Sequence, residues 1–202
     1  MNEFQYKGKE IRQEFFSDCF DEGLARMHFE DCRFSGIRFD DILFDHCTFV
    51  RCTFSGCRLG ASEFRFCAIL NCIFRMCSMF STVFDNCKLT GSAFFDVDAP
   101  YFEINGGDWS FTDLRDLAFY KMELHHINFE GADFTGCCMD HATISNCCMR
   151  HARFGSTSMV SADLRESDLS GSNLSGLILR KTKIALRQAV LLAESLGADY
   201  EP

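Results

Sequence analysis

Nowhere in the 202-residue sequence do eighteen apolar residues run together, so it offers no helix able to cross a membrane. Residues 1–13 also lack an apolar block, and no secretory signal is expected. Basic side chains are in short supply: 20 Lys and Arg face 29 Asp and Glu, a formal net charge of −9. A phosphate-binding surface should be basic, so direct binding of nucleic acid is not expected. The marks of catalysis are missing too, with no nucleophile–base pair, phosphate loop or dinucleotide fingerprint. Proline is scarce, two residues against 23 phenylalanines.

What is abundant is more telling. The chain is 47% hydrophobic and 24% charged, a globular balance that excludes wholesale disorder. Thirteen cysteines, an odd number without a signal peptide, argue for free thiols and a cytoplasmic location.

A five-residue period organises most of the sequence. Every fifth residue from Leu24 through Phe29, Phe34, Phe39, Phe44, Phe49 and Phe54 to Leu174, Leu179 and Ile184 is large and apolar, with Ala99 the one exception. Two residues earlier stands a small side chain in most pentads, and ten of the thirteen cysteines fall there, among them Cys47, Cys52, Cys67 and Cys72. A period of five fits neither a helix nor a plain strand. It fits a chain that turns a corner every five residues, with the large residue pointing inward on each side and the small one tucked where space is short. Such a filled solenoid leaves little room for a concave pocket. No enzyme activity and no cofactor is expected.

Residues 1–21 precede the frame and are expected to form an N-terminal cap, because a solenoid must cover its open end. The repeat occupies 22–184. Its weakest stretch is 95–108, which holds Ala99, Pro100 and the pair Gly106 and Gly107, and a local bulge or loop is expected there. From 185 to 202 the pattern becomes helical. Leu186, Ala189, Val190, Ala193 and Leu196 mark one face, Leu191 and Leu192 widen it, Thr182 is the expected N-cap and Gly197 the C-cap. So short and apolar a helix should cap the last coil and join a second subunit, with Leu186, Val190, Leu192 and Leu196 at the dimer contact.

Two clusters resemble chemistry without supporting it. Cys137, Cys138 and His141 with Cys147, Cys148 and His151 suggest zinc ligands. Ten residues are two pentads, however, and units such as Ala162–Asp163–Leu164 resemble the pentapeptide-repeat family, whose four pentads per coil would put the halves on opposite sides, so no metal site is expected. The inward cysteines form columns twenty residues apart, within disulfide range, yet their Cβ vectors run parallel and such thiols are inert filling.

Charge is unevenly spread. Residues 85–140 carry eleven acids and three bases, whereas 46–84 carry one acid and four arginines. In the acidic zone Glu103 with Glu123, Asp113 with Asp133, and Asp96 with Asp116 recur at twenty residues. Like charges stacked on neighbouring strands are destabilising. A solvated acidic face, common at this charge, is one reading. A cost accepted three times over points instead to a negative binding surface, for which Asp96, Asp98, Glu103, Asp108, Asp113, Asp116 and Glu123 are the candidates.

The units Ala162–Asp163–Leu164, Ser167–Asp168–Leu169 and Ser172–Asn173–Leu174 closely match the A(D/N)LXX motif, and over about 22–184 the chain resembles the pentapeptide-repeat family. The resemblance implies an all-β solenoid: a right-handed, quadrilateral parallel β-helix of about eight coils stacked ~4.8 Å apart, ~40 Å long, with a short C-terminal α-helix. Residues 186–197 resemble the helix of one branch, the Qnr, MfpA and AlbG group. That implies a homodimeric DNA mimic that binds DNA gyrase or topoisomerase IV and protects it from quinolones or other poisons, as resistance or self-immunity. The alternative is a non-enzymatic interaction scaffold with no topoisomerase target.

Overall fold

Each pentad places three residues in a short extended segment, the middle side chain turned inward and its neighbours outward, as at Leu43–Asp45, Thr48–Val50 and Thr53–Ser55. The next residue turns the corner in the left-handed region, with φ 52° at His46, 51° at Arg51 and 52° at Asn71. That conformation disfavours an ordinary L residue by about 1–2 kcal/mol and suits a branched Cβ least. Among the described left-handed corners Asp, Asn, His, Ser, Lys and Gly recur, and no Val, Ile or Thr occurs.

The computed structural model describes residues 5–11 and 23–199. They belong to two compact units, Met1–Asp108 and Trp109–Pro202. In the first, four ladders of parallel pairing form four sides. One is a five-stranded sheet built on the inward residues Leu24, Phe44, Phe64, Phe84 and Ile104, each in register with the residue twenty positions on. A second runs through Phe29, Phe49 and Ile69, and a third through Phe34, Phe54, Phe74 and Phe94. The fourth is carried by single bridges from Arg38 to Arg58, Ser78 and Asp98. Stacking places like rings face to face inside, with Phe44 and Phe64 centroids 4.3 Å apart and Phe34 and Phe54 4.5 Å apart.

Residues 1–4 and 12–21 of the expected N-terminal cap lie outside the described residues. Gln5–Lys7 and Glu10–Ile11 form strands that pair with His28–Glu30 and Arg33–Ser35, so they extend two of the ladders. The backbone of Tyr6 is in register with Phe29 and that of Ile11 with Phe34, twenty-three residues on rather than twenty, which is why they stand outside the frame.

The expected loop at 95–108 is absent. Asp98 bridges Ser78, Glu103–Asn105 pairs with Val83–Asp85 in unbroken register, and Asp108 bridges Lys88. Pro100 is tolerated because it stands where Gly60 gives its N–H to the Asp40 side chain rather than to the ladder, while the Pro100 carbonyl accepts from Ser81 N at 2.9 Å. Gly107 answers a close approach: at φ 97° an added Cβ would lie 2.1 Å from the Cys87 carbonyl oxygen. Ala99, small where a large residue is the rule, is accompanied by Phe102, a buried ring at a position that holds Ser62 and Thr82 in the two preceding coils.

The second unit repeats the scheme. Glu123–His125 pairs with Thr143–Ser145, and bridges carry that side on to Asp163 and Lys183. Its corners are more often closed by β-turns, such as Ala132 N to Phe129 O at 3.0 Å and Cys137 N to Phe134 O at 3.0 Å. Ile184 still centres a pentad, so the helix, Leu186–Ser195, takes Ala185 as N-cap and not the expected Thr182. The Thr182 hydroxyl instead donates to Met159 O at 2.6 Å, as small residues do throughout the coil. Gly197, at φ 91°, ends the helix as expected.

Candidate interaction surface

Because five residues advance the chain by one side, outward groups of different pentads share a face only when they are a multiple of twenty apart, whereas the two flanks of one inward residue share it directly. In the first unit Asp98, Glu103 and Asp108 therefore lie on three successive sides, beside the inward positions of Ala99, Ile104 and Trp109, and Asp96 occupies a corner. In the second unit Asp113 lies beside Leu114, Asp116 at the following corner and Glu123 beside Leu124. The fold distributes the candidate acids around each unit.

Their surroundings differ as well. Arg115 grips both carboxylate oxygens of Asp113, at 2.8 and 2.7 Å. Asp108 lies 3.6 Å from the Lys88 ammonium and accepts from the Thr90 hydroxyl at 3.1 Å. Glu123 has His125 at 3.9 Å, an ion pair only when that ring is protonated. Asp96, Asp98, Glu103 and Asp116 are exposed and, among the described residues, have no ion pair within 4 Å.

Of the expected like-charge pairs, Asp113 and Asp133 do bridge neighbouring coils. Arg115 on one and Arg153, 3.7 Å from the other, offset the repulsion. The other two pairs fall in different units. Asp163 shows the same device at its strongest. A two-pronged bond from Arg165 at 2.9 and 2.8 Å, with Lys183 at 3.5 Å, lowers its carboxyl to about 2. The signal for such pairs was legible as Asp-x-Arg, since the flanks of an inward residue both point outward.

Cysteine, serine and threonine share one task at the small position. Cys52 Sγ donates to Phe29 O at 3.4 Å, Ser92 Oγ to Ile69 O at 2.8 Å and Thr157 Oγ1 to Phe134 O at 2.7 Å, each reaching back twenty-three residues. Cys138 and Cys148 lie on ladders two pentads apart, and among the described residues no group of three or more His, Cys, Asp or Glu is arranged to hold a metal ion.

The helix closes the last coil with Gln188, whose role had no sequence signal. Its Nε2 donates to Leu164 O at 2.5 Å and Ser167 O at 2.8 Å, while its Oε1 accepts from Ala185 N at 2.8 Å. One amide thus replaces the two donors, side chain and backbone, that a further coil would have supplied. Leu186 and Leu196 remain exposed, at 79% and 72%, and Val190 and Leu192 are half-buried.

Residues 47–129 match the model of the pentapeptide repeat region, and 112–150 and 147–184 match that of pentapeptide repeats in eight copies. The chain belongs to the pentapeptide-repeat family. Among solved structures, this pentapeptide-repeat protein is similar to a trypsin-treated variant of QnrB1, a plasmid-mediated fluoroquinolone resistance protein, with 23% identity, 98% of each chain covered and a TM-score of 0.60. A second trypsin-treated QnrB1 variant matches at 18% identity over 98% of each chain, TM-score 0.48. HetL, a pentapeptide-repeat protein involved in heterocyst differentiation regulation from the cyanobacterium Nostoc sp. strain PCC 7120, matches at 14% identity over 90% of this chain and 85% of its own, TM-score 0.37. No curated protein sequence matches significantly.

Proposed function

We propose that this pentapeptide-repeat protein binds a type II topoisomerase, DNA gyrase or topoisomerase IV, through its outward carboxylates and shields the enzyme from a poison. The observation that carries the reading is a set of exposed acids, Asp96, Asp98, Glu103 and Asp116, left without cationic partners among the described residues of a chain of net charge −9. Such groups complement the basic surface on which a topoisomerase holds DNA, and they make the association weaken with salt. The likeness to a fluoroquinolone resistance protein and the resemblance of residues 186–197 to the helix of the Qnr, MfpA and AlbG group point the same way. The free, inward thiols suit a reducing cytoplasm.

Gyrase supercoiling, run with added protein and with several poisons in turn, tests this directly. The protein should inhibit supercoiling at high concentration and rescue it from at least one poison. Asp98→Lys with Glu103→Lys should weaken binding by about tenfold or more with the melting temperature nearly unchanged. These positions serve better than Asp113, whose reversal would also strand Arg115. The dispersal of the acids over several sides favours a second reading, an interaction scaffold with no topoisomerase target. A wild type that neither inhibits supercoiling nor relieves any poison decides for that scaffold.

The helix serves as a homodimer contact in this reading, because Leu186 and Leu196 expose apolar surface that the last coil leaves uncovered. Light scattering should give twice 23.0 kDa. Leu192→Asp with Leu196→Asp should return the monomer, and a wild type already monomeric at micromolar concentration would refute the contact.

A further inference from the structure

Two adjacent coils of the first unit expose side chains that the fold has no use for. Residues 75–81 lie in register with 95–101: Arg75 pairs with Phe95, Ser78 bridges Asp98, and Ser81 N donates to Pro100 O. Met76 and Tyr101 occupy left-handed corners, at φ 51° and 59°, yet are 59% and 78% exposed. Equivalent corners carry Gly56, Asp96, Asp41 or Ser81, residues better suited to that backbone. Here strain is accepted and no core contact is gained in return. The corner conformation is common to the coil, Phe66 and Phe111 included, and what sets Met76 and Tyr101 apart is the exposed Phe80 beside them.

The neighbours give the patch a definite chemistry. Phe80, half exposed, sets its ring edge-on to Tyr101 with centroids 5.7 Å apart. The Arg75 guanidinium lies 5.1 Å over the Phe95 ring, so the surface already seats one such group. Asp96 and Asp98 lie between Phe95 and Tyr101 along the chain, exposed and with no ion pair among the described residues. Aromatic and methionine side chains are the usual energetic anchors of protein interfaces, and carboxylates beside them select planar cations.

We propose that 75–81 and 95–101 form a docking surface for a protein segment that presents arginine side chains among apolar ones. The arginines meet Asp96, Asp98 and the faces of Phe80 and Tyr101, and the apolar residues pack on Met76 and Phe80. This goes beyond the topoisomerase reading and stands if that reading fails, since an imitation of duplex phosphates needs charge but no aromatic anchor.

A short synthetic peptide alternating Arg and Leu, compared with one of equal charge alternating Arg and Ser, tests the proposal on the whole protein. The Arg–Leu peptide should bind about tenfold tighter, and its amide-resonance shifts should cluster at 75–81 and 95–101. Phe80→Ser with Tyr101→Asn should abolish that preference without lowering the melting temperature, because Asn suits the left-handed corner. Phe111→Asn, at an exposed aromatic corner of the second unit, should leave it intact. Equal affinity for the two peptides, a preference that survives the double substitution, or shifts spread over acids on other sides would overturn the proposal. Loss of the preference with gyrase inhibition unchanged identifies a separate partner; loss of both makes the patch part of the topoisomerase contact.

Discussion

Replacing Phe54 with alanine is expected to destabilise the protein by about 3–5 kcal/mol. The ring is fully buried and stacks on Phe34 at 4.5 Å and Phe74 at 4.6 Å, with Phe49 edge-on at 5.5 Å. Truncation removes its dispersion contacts on three sides. The resulting void cannot readily close, because Thr53–Ser55 is held between Arg33–Ser35 and Ile73–Arg75 by parallel ladders on both sides. That rigidity puts the expected loss toward the upper end of the range. Urea unfolding should show a lower midpoint with the slope nearly unchanged. Phe111→Ala, at a position 63% exposed, is the contrast and should change stability little. A loss under about 1 kcal/mol for Phe54→Ala would contradict a packed column of rings.

Residue size made the frame legible. An inward position demands a large apolar side chain such as Phe or Leu and a corner does not, so period five is written directly in the choice of side chain. The twenty-residue register followed from four sides. The corner itself carried a further signal, the lack of branched Cβ atoms at positions such as His46, Arg51 and Asn71. Local cues misled wherever the coil had already assigned the residue a task. Pro100 and Gly107 read as loop formers, yet one occupies a place where no ladder donor is needed and the other a place where the Cys87 carbonyl leaves no room for a Cβ. Thr182 read as a helix cap because a hydroxyl before a helix can serve either end, and the coil claimed it. Gln188 was unreadable, since its partners Leu164 and Ser167 are defined only once the last coil exists. For the acids, composition gave the excess of charge but not its dispersal; only the pairing of Asp113 with Arg115 was implicit in their spacing.

Alkaline pH should erode the stability of the fold through its buried thiols. Burial pushes the Cys137 thiol up to about 12 and the Cys147 thiol up to about 11, and it raises Cys32 as well. Hydrogen bonding to a neighbouring thiol in the column, together with burial, raises Cys47, Cys57 and Cys72, while the same bonds lower Cys52 and Cys77, so the net effect rests on Cys137 and Cys147. In the unfolded chain these groups ionise near their ordinary value of about 8.5. Above that pH the unfolded state sheds protons that the folded state retains, so the stability, whole below about pH 8.5, falls as the pH rises toward the folded values. Each such thiol withdraws about 1.4 kcal/mol per pH unit over that interval, so Cys137 and Cys147 alone give about 3 kcal/mol per unit. Thermal melts between about pH 7 and pH 10.5 should show a plateau and then a steep fall. Cys137→Ser with Cys147→Ser should flatten the fall, because a serine hydroxyl does not ionise in this range and, as Ser167 does toward Ile144 O at 2.8 Å, can take over the thiol's hydrogen bond. A melting temperature indifferent to pH up to about 10 would mean that these thiols ionise as freely in the folded chain as in the unfolded one, which a filled core does not permit.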